Sequence, residues 1–557
     1  MALSLLGFAA PLPARAQTPG SAPGQAGLTQ VFGSRKPPDG RERTAAQVLR
    51  SARRAPKLRA VLARHPHAVA RVYLRDHRRW QVSFYAGTRE IAQAIVADRS
   101  GRVLEAWTGI QVAWMMARGY PGAFGGKADA LYIWLPLLAL FLLPFLRPPW
   151  RLLHLDLAVL AAFSVSVACF NHGDIGASVP LAYPPLVYLL LRLLAIARRR
   201  ARPGEDAERP PLRLLVSPRR LGIAAVFLLG FRVGMQIVTS NVIDVGYAGV
   251  IGADHISHGA VLYGAFPVDN LHGDTYGPLN YLAYVPFELI WPWSGTWDDL
   301  PAAHAATATF DLACVGLLYI IGRRLRGPGL ATVLAYLWLA CPLTLMAANS
   351  GTNDPLVGAL VLAALAAVAS PAGRGAAIAA AGMVKFAPLA LLPLFVGHRS
   401  RPLRTAGTAG VVLAAALAGV LLLDGSLRGF AHQTFGFQAD RASPFSVWGL
   451  YDLPGPQRLV QLAAVALAIA VGFVPRRRDL VSTAALAGAV LLALQLGLSH
   501  WFYLYLVWVI GPLLIALLGP YADPGSGRST GSIEVARPAS SQRITTALSH
   551  GSSDAAS

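Results

Sequence analysis

The sequence predicts an α-helical polytopic membrane protein of about 11 full spans, with re-entrant or juxtamembrane segments and a small N-terminal extracytoplasmic α+β domain. Three observations predict this class. Of the 557 residues, 54% are hydrophobic and only 14% are charged. Near-continuous apolar runs recur from Leu131 to Leu518, most of them about 16–19 residues long, which is close to the length that crosses a bilayer. Arginines gather in the short segments between the runs, as they do in cytoplasmic loops.

Charge and cysteine content exclude two other classes. The net charge of +21 comes from those loop arginines, and the sequence lacks the basic soluble face with interleaved aromatics that binds nucleic acid. The three cysteines, Cys169, Cys314 and Cys341, lie in or at the end of apolar runs without metal-ligand or disulfide spacing. We interpret them as small core residues.

The first 110 residues read as material outside the membrane. Residues 1–16 look like a signal segment without its basic start, and 17–43 form a Gly/Pro-rich linker. Residues 44–110 combine an amphipathic helix at 45–64 with alternating, strand-like stretches. Their strand, Asp-x-x-Gly turn and strand at 97–104 resemble a PepSY-like domain, although any small α+β unit fits the pattern equally well.

The apolar runs can be followed in order, and the arginine clusters then fall on the cytoplasmic side at every step. We predict accessory transmembrane helices over residues 131–200 and a membrane module over 221–518. The Ser/Gly/Ala-rich segment 519–557 is predicted to be a disordered cytoplasmic tail. The predicted spans are Leu131–Leu146, Leu153–Phe170, Val179–Ala197, Leu221–Thr239, His304–Gly322, Leu330–Ala347, Leu356–Ala369, Ala406–Leu423, Leu459–Val474, Val481–Leu498 and Trp501–Leu518.

Two apolar segments do not fit this alternation. Gly375–Val396 has arginines on both flanks and an internal Lys-Phe-Ala-Pro, so we expect a re-entrant or broken helix pair. Tyr276–Trp293 begins and ends outside, which indicates a juxtamembrane hairpin or an interfacial helix. Because irregular backbone at membrane depth is tolerated only inside protein or along a wet cavity, both segments point to a cavity.

Five motifs follow one another from the fourth predicted span onward. SNVIDVGYAGVIGADHISHGAVLYGAF (240–266) places carboxylates and histidines directly after a membrane helix. DTYGPLNYL (274–282), NSGTNDP (349–355), MVKFAP (383–388) and SHWFY (499–503) come later. In this order the motifs resemble the glycosyltransferase C superfamily, most closely glycosyltransferase family 87, over residues 221–518.

This resemblance implies an integral membrane glycosyltransferase that takes a hexose, mannose being one candidate, from a polyprenyl-phosphate donor. The acceptor would be an extracytoplasmic glycan, glycolipid or protein of the cell envelope. An inverting transfer needs a carboxylate to deprotonate the acceptor hydroxyl, and the leaving phosphate needs cationic or donor groups. The implied roles are general base for Asp244 and acceptor-binding carboxylate for Asp254, donor-phosphate binding for Lys385, Arg441 and His500, and acceptor or sugar binding for Tyr263, Tyr276 and Trp448.

Several of these residues also have a plainer interpretation. Asp244 could cap a helix or be a solvated loop acid, and Lys385 could complete a basic flank. Trp448 fits an interfacial belt, and His500 fits an interface residue better than a catalyst. Asp254, His255 and His258 could form part of a metal site, although two histidines without clear further ligands are more often polar loop residues. We therefore predict no cofactor and no metal, while a divalent ion stays an open alternative.

One contact follows from the residues without any family. Arg232 lies about eight residues before the outer end of its span, and Asp311 about seven residues into the next full span, so both reach a similar depth. Charges at that depth are costly unless they pair. The sequence predicts an Arg232–Asp311 ion pair that braces the two helices.

Two rival functions remain at this stage. A transporter would also use broken helices and intramembrane charges, but it should show inverted repeats, which the sequence lacks. A non-catalytic assembly or sensor protein would use the N-terminal domain as its binding module and would tolerate loss of Asp244.

Overall fold

The structure is a computed structural model, and it describes residues 28–524 except 33–35, 114, 120, 121, 123, 199–209, 299, 399, 437–442 and 475–478. Three sequence predictions lie outside the described residues. These are the signal-like segment 1–16, the tail beyond residue 524 and the side chain of Arg441.

The N-terminal unit is an antiparallel sheet whose five strands follow one another in sequence order. Trp80, Val82 and Phe84 alternate along the third strand and are buried against helix residues Val48 and Leu58. The elements are β1 (Thr29–Val31), β2 (Val69–Asp76), β3 (Arg79–Ala86), β4 (Arg89–Ala97) and β5 (Val103–Thr108), with the helices α1 (Ala45–Arg54), α2 (Pro56–Arg64) and α3 (Ile110–Ala113).

Two details of this unit differ from the sequence prediction. The single helix expected over 45–64 is two helices, because Pro56 has no N–H to continue the first and begins the second. The expected linker 17–43 contains β1, which pairs with β2 in the register Gln30 to Tyr73. β2 itself was not predicted.

The rest of the chain is helical. In chain order the helices are α4 (Leu131–Leu142), α5 (Leu152–Asn171), α6 (Ile175–Arg198), α7 (Pro218–Thr239), α8 (Asp244–Ser257), α9 (Pro278–Leu282), α10 (Val285–Glu288), α11 (Pro301–Leu325), α12 (Pro328–Ala340), α13 (Pro342–Asn349), α14 (Asp354–Ala366), α15 (Pro371–Val384), α16 (Leu392–Val396), α17 (Pro402–Asp424), α18 (Arg428–Ala431), α19 (Val447–Leu450), α20 (Pro454–Ala470), α21 (Leu480–Leu496) and α22 (Val507–Leu518).

Five of these helices, α5, α6, α7, α11 and α17, are long and apolar enough to cross a membrane among the described residues. The pair α12 and α13 makes a sixth if it counts as one span, although the pair bends by 59° at Cys341. Pro342 causes the bend, because it has no N–H to donate to the Trp338 carbonyl four residues earlier. The Thr344 hydroxyl donates to that carbonyl instead, at 2.7 Å. The other predicted spans correspond to shorter helices, so the count of about 11 full spans is not confirmed.

The segment Gly375–Val396 doubles back on itself. Helix α15 ends at Val384, a short 3₁₀ stretch over Ala387–Leu391 follows, and α16 leads back. The two ends meet, because the Arg374 guanidinium donates to the Phe395 carbonyl at 3.0 Å and to the Ser400 hydroxyl at 2.9 Å. We call residues 371–396 the re-entrant hairpin, and its tip lies at Lys385.

The segment Tyr276–Trp293 forms two short helices, α9 and α10, joined by a single turn. The beginning of the segment 519–557 differs from the prediction of disorder. The Asp523 carboxylate accepts the Leu330 N–H at 2.8 Å, and Arg326 donates to the Tyr521 carbonyl at 3.2 Å. Residues 519–524 are therefore packed against the ends of α11 and α12.

Candidate active site

Asp244 is the first residue of α8 and is exposed. The chain before it is pinned to the end of α13, because the N–H groups of Asn241 and Ile243 donate to the carbonyls of Asn349 and Ser350 at 2.8 and 3.1 Å. Gly246 completes the contact, since a Cβ at that position would lie 1.9 Å from the Gly351 carbonyl oxygen. The start of α8 is thus held against the motif NSGTNDP.

Asp354, at the other end of that motif, holds the Lys385 ammonium. The Lys385 Nζ lies 2.6 Å from the Asp354 Oδ1, and the two side chains are 11% and 1% exposed. The Trp508 indole N–H donates to the same oxygen at 2.8 Å. Asp354 is the first residue of α14, where the helix dipole favours a carboxylate.

Three aromatic rings surround the same ammonium. The Nζ of Lys385 lies 5.6 Å from the ring centre of Tyr276, 5.2 Å from that of Tyr505 and 5.4 Å from that of Trp508. Each distance is within the range of a cation–π interaction. Tyr505 and Trp508 also stack on each other at 4.8 Å, which fixes both rings.

Lys385 reaches this position because α15 cannot continue. Pro388 has no N–H to donate to the Val384 carbonyl four residues earlier, so the helix ends there. The freed carbonyl accepts the N–H of Gly277 at 3.2 Å instead. The tip of the re-entrant hairpin is thereby docked on the DTYGPLNYL motif, directly beside Tyr276.

The Asp244 carboxylate is near enough to attract the Lys385 ammonium, more weakly than Asp354 does. One candidate active site is therefore assembled from five separate parts of the chain: the start of α8, the segment before α9, the start of α14, the hairpin tip and the residues at the start of α22. Its chemical content is an exposed carboxylate, a buried ammonium with its own counter-ion, and aromatic faces.

Tyr263 supports this site from behind. Its hydroxyl donates to the Tyr276 carbonyl at 2.9 Å, and its own N–H donates to Asp424 at the end of α17. The neighbouring Asp274 accepts the N–H of Gly264 at 2.7 Å, and burial raises the pKa of its carboxyl. These contacts hold the chain from residue 262 to 276 against the end of α17.

Asp254 lies at the far end of α8, ten residues after Asp244, or about 15 Å along the helix axis. Its carboxylate is 3.2 Å from the Nδ1 of His258, and hydrogen bonding to the Asp254 backbone raises the pKa of that histidine. Within the described ranges, no group of three or more His, Cys, Asp or Glu side chains could hold a metal ion.

His500 and Trp448 belong to other contacts. The Nδ1 of His500 lies 2.8 Å from the Ser443 hydroxyl, and its ring meets Phe445 edge-on at 5.5 Å. The indole N–H of Trp448 donates to the Leu496 carbonyl at 2.7 Å. The structure therefore brings Asp244, Lys385 and Tyr276 together, with Tyr263 behind them, and gives His500 and Trp448 different partners.

Arg232 and Asp311, the pair expected from their matching depth, are in contact. Two guanidinium nitrogens lie 2.9 and 2.7 Å from the two carboxylate oxygens. The Trp338 indole adds a hydrogen bond to Asp311 at 2.8 Å, and Arg232 reaches the Leu339 carbonyl at 3.3 Å. The pair thus ties α7 and α11 to the bend between α12 and α13.

Residues 275–522 match the sequence model of glycosyltransferase family 87. This part of the chain is a glycosyltransferase family 87 domain. The protein is accordingly an enzyme, a glycosyltransferase with several membrane-spanning helices that acts on sugar donor and acceptor substrates. The same comparisons found no matching curated protein and no matching solved structure.

The family 87 match includes Tyr276, Asp354, Lys385 and Trp508 but begins after Asp244 and Asp254. Sequence reasoning did not assign a role to Asp354, Tyr505 or Trp508. For Asp354 a signal existed: an acid directly before an apolar helix needs a cationic partner, and Lys385 is a lysine at a helix break. Nothing in the sequence joined these two positions, which lie 31 residues apart.

Proposed function

We propose that this glycosyltransferase moves a hexose from a polyprenyl-phosphate donor to a hydroxyl group of an extracytoplasmic acceptor, with Asp244 as the general base. The observation that carries the proposal is the neighbourhood of Asp244. An exposed carboxylate at the start of α8 lies within electrostatic reach of a lysine that Asp354 and three aromatic rings surround, and the two groups have complementary tasks in such a transfer.

The base has to accept a proton as the new bond forms. Asp244 takes the proton of the acceptor hydroxyl while the acceptor oxygen attacks C1 of the hexose. The bond between C1 and the phosphate oxygen breaks, and its electron pair leaves with the polyprenyl phosphate. The products are the hexosylated acceptor and polyprenyl phosphate, and Asp244 later releases its proton to water.

The leaving group needs positive charge, because the bridging oxygen becomes anionic as the bond breaks. Lys385 has three N–H donors, and Asp354 accepts one of them at 2.6 Å. The remaining donors suit a phosphate at the membrane rim. The rings of Tyr276 and Tyr505 close the site around the ammonium, and their faces also suit the apolar face of a hexose.

An Asp244→Asn variant tests the proposal. Membranes that contain wild-type or variant protein, along with the acceptors of the host cell, are supplied with polyprenyl-phosphate [¹⁴C]mannose. We expect the variant to accumulate normally and to transfer label about 10²–10⁴-fold more slowly, because an amide cannot take the proton. Asp298→Asn, an exposed acid in a loop after α10, is the matched control and should transfer at the wild-type rate.

Two results would count against the proposal. Transfer by Asp244→Asn at the wild-type rate would remove Asp244 from the chemistry. Label transfer from a nucleotide sugar, with none from the polyprenyl-phosphate sugar, would replace the donor class while leaving the glycosyltransferase assignment intact.

A further inference from the structure

We propose that Asp354 is a positioning residue of this enzyme, which fixes the Lys385 ammonium, in its charged form, at the point where the donor phosphate binds. The inference rests on the proposed function, since it concerns how the same site receives its lipid-phosphate donor. Asp354 itself acts through Lys385 and touches no reacting atom.

A lysine in this place needs both a counter-ion and a fixed position. Its side chain is almost completely buried, and an unpaired ammonium there would be costly. Its four-carbon stem is flexible, so the backbone alone does not determine where the charge lies. The contact to Asp354 Oδ1 at 2.6 Å supplies both requirements, and the three rings restrict the remaining movement.

Asp354 is well suited to hold another group still. Trp508 anchors its Oδ1 at 2.8 Å, and its backbone N–H donates to the Thr352 hydroxyl at 3.3 Å. Its position as the first residue of α14 also favours the ionised carboxylate.

The geometry of the pair differs from that of a bracing ion pair in the same protein. In the Arg232–Asp311 pair, both carboxylate oxygens accept guanidinium hydrogen bonds. Both donors to Asp354, by contrast, use Oδ1, and its Oδ2 is buried without a hydrogen-bond partner in the part of the chain that the structure describes. One oxygen thus anchors Lys385, which leaves ammonium donors for a second anion.

The test compares Asp354→Asn, Lys385→Gln and the double variant as purified full-length proteins in lipid nanodiscs. The donor is polyprenyl-phosphate mannose, the acceptor is supplied as an extract of host membranes, and kcat and the donor KM are measured. We expect Lys385→Gln to raise the donor KM about 10–100-fold, which corresponds to the loss of a hydrogen bond from a charged group. Asp354→Asn should raise it by a similar factor.

The double variant distinguishes positioning from a separate contribution. If Asp354 acts only through Lys385, adding Asp354→Asn to Lys385→Gln changes the donor KM no further. Asp156→Asn is the matched control, because Asp156 is a buried acid paired with Arg192 at 2.9 Å between α5 and α6. It should lower the thermal unfolding temperature and leave the donor KM unchanged.

Trp508→Phe covers the case in which Asp354→Asn does not fold. It keeps an aromatic face towards Lys385, although a smaller one, and removes the indole N–H that anchors Asp354. We expect a several-fold rise in the donor KM when Lys385 is present and none in the Lys385→Gln background.

The outcomes separate the two proposals. An unchanged donor KM in Asp354→Asn, or a multiplied effect in the double variant, would overturn the positioning role alone, and an unchanged donor KM in Trp508→Phe would do the same. A wild-type protein that transfers nothing from any polyprenyl-phosphate hexose would overturn the donor assignment and the positioning role together. A Lys385→Gln variant with an unchanged donor KM would overturn the phosphate-binding role of Lys385, and with it the positioning role.

Discussion

Asp129 is a buried carboxyl that lies just before the first apolar helix. Both of its oxygens accept the N–H of Gly122, at 3.1 and 3.2 Å, yet burial outweighs these hydrogen bonds and raises its pKa from 3.8 to about 6. The folded protein therefore binds more protons than the unfolded chain between about pH 4 and pH 6. The contribution of this group to the free energy of unfolding is fully present below about pH 4 and is lost as the pH rises through about 6.

The variant Asp129→Asn cannot ionise but keeps an oxygen for the Gly122 N–H. We expect its thermal unfolding temperature to exceed that of the wild type by a larger margin at pH 7.5 than at pH 5, because only the wild type carries a buried charge at the higher pH. Asp298→Asn is the control, because hydrogen bonds from the Thr296 and Ser294 side chains lower the pKa of this exposed acid and it is ionised at both pH values. A margin that does not change with pH would contradict the assignment to Asp129.

The sequence predicted a contact between two residues where their charges were opposite and their depths in the membrane were similar. It missed the contacts that depend on how distant parts of the chain pack together. Arg232 and Asp311 could be paired because both interrupt apolar runs at a similar distance from the membrane edge. Lys385 could be singled out by its helix break, but its partners could not. Asp354, Tyr505 and Trp508 come from elements whose neighbours only the three-dimensional arrangement determines.

At the scale of elements, the hairpin tip depends on one close approach of two backbones. Gly277 donates its N–H to the carbonyl of Val384, and a Cβ on Gly277 would lie 2.0 Å from the carbonyl oxygen of Met383. A separation under 3 Å forces the two segments apart. Because Tyr276 and Lys385 lie on either side of this contact, their separation has to increase with it.

Gly277→Ala should therefore destabilise the protein by about 1–3 kcal/mol and slow hexose transfer. Gly410→Ala is the matched control, because Gly410 lies within α17 and a methyl group added there would have no neighbouring atom within 4 Å. That variant should be as stable as the wild type, or more stable by up to about 1 kcal/mol, because alanine has a higher helix propensity than glycine. Thermal unfolding and transfer rates measure both effects, and equal behaviour of the two variants would argue against the tight contact.

Elements were predictable to the extent that apolar runs mark helices. Every predicted span corresponds to a helix or a helix pair, Pro342 explains where one of them bends, and Pro388 explains where the re-entrant hairpin breaks. Run length alone did not reveal which helices are long enough to cross. β2 was missed because Arg71 and Arg75 interrupt its apolar pattern, although neighbouring Val72 and Tyr73 are buried.

At the scale of the molecule, the candidate active site and the N-terminal unit lie at one end of the helix bundle. The Asn349 side chain, at the end of α13, donates to the Gly125 carbonyl at 3.4 Å, and Gln111 donates to the Gly173 carbonyl at the end of α5 at 3.2 Å. The chain just before Asp244 is bound to Asn349 at the same end, through the N–H of Asn241. Arg374, near the start of the re-entrant hairpin, and Arg401, which follows the hairpin and precedes α17, lie at the other end of the hairpin from Lys385.

The distribution of arginines then predicts that the site faces away from the cytoplasm. In a background with Cys169, Cys314 and Cys341 replaced by serine or alanine, Thr296→Cys should react with a membrane-impermeant maleimide in intact cells, since this exposed residue follows α10 near the site. Arg404→Cys, exposed at the start of α17, should react only after the membrane is permeabilised. The reverse labelling pattern would show that the site faces the cytoplasm. An enzyme with Asp244 on the cytoplasmic side could not glycosylate an extracytoplasmic acceptor.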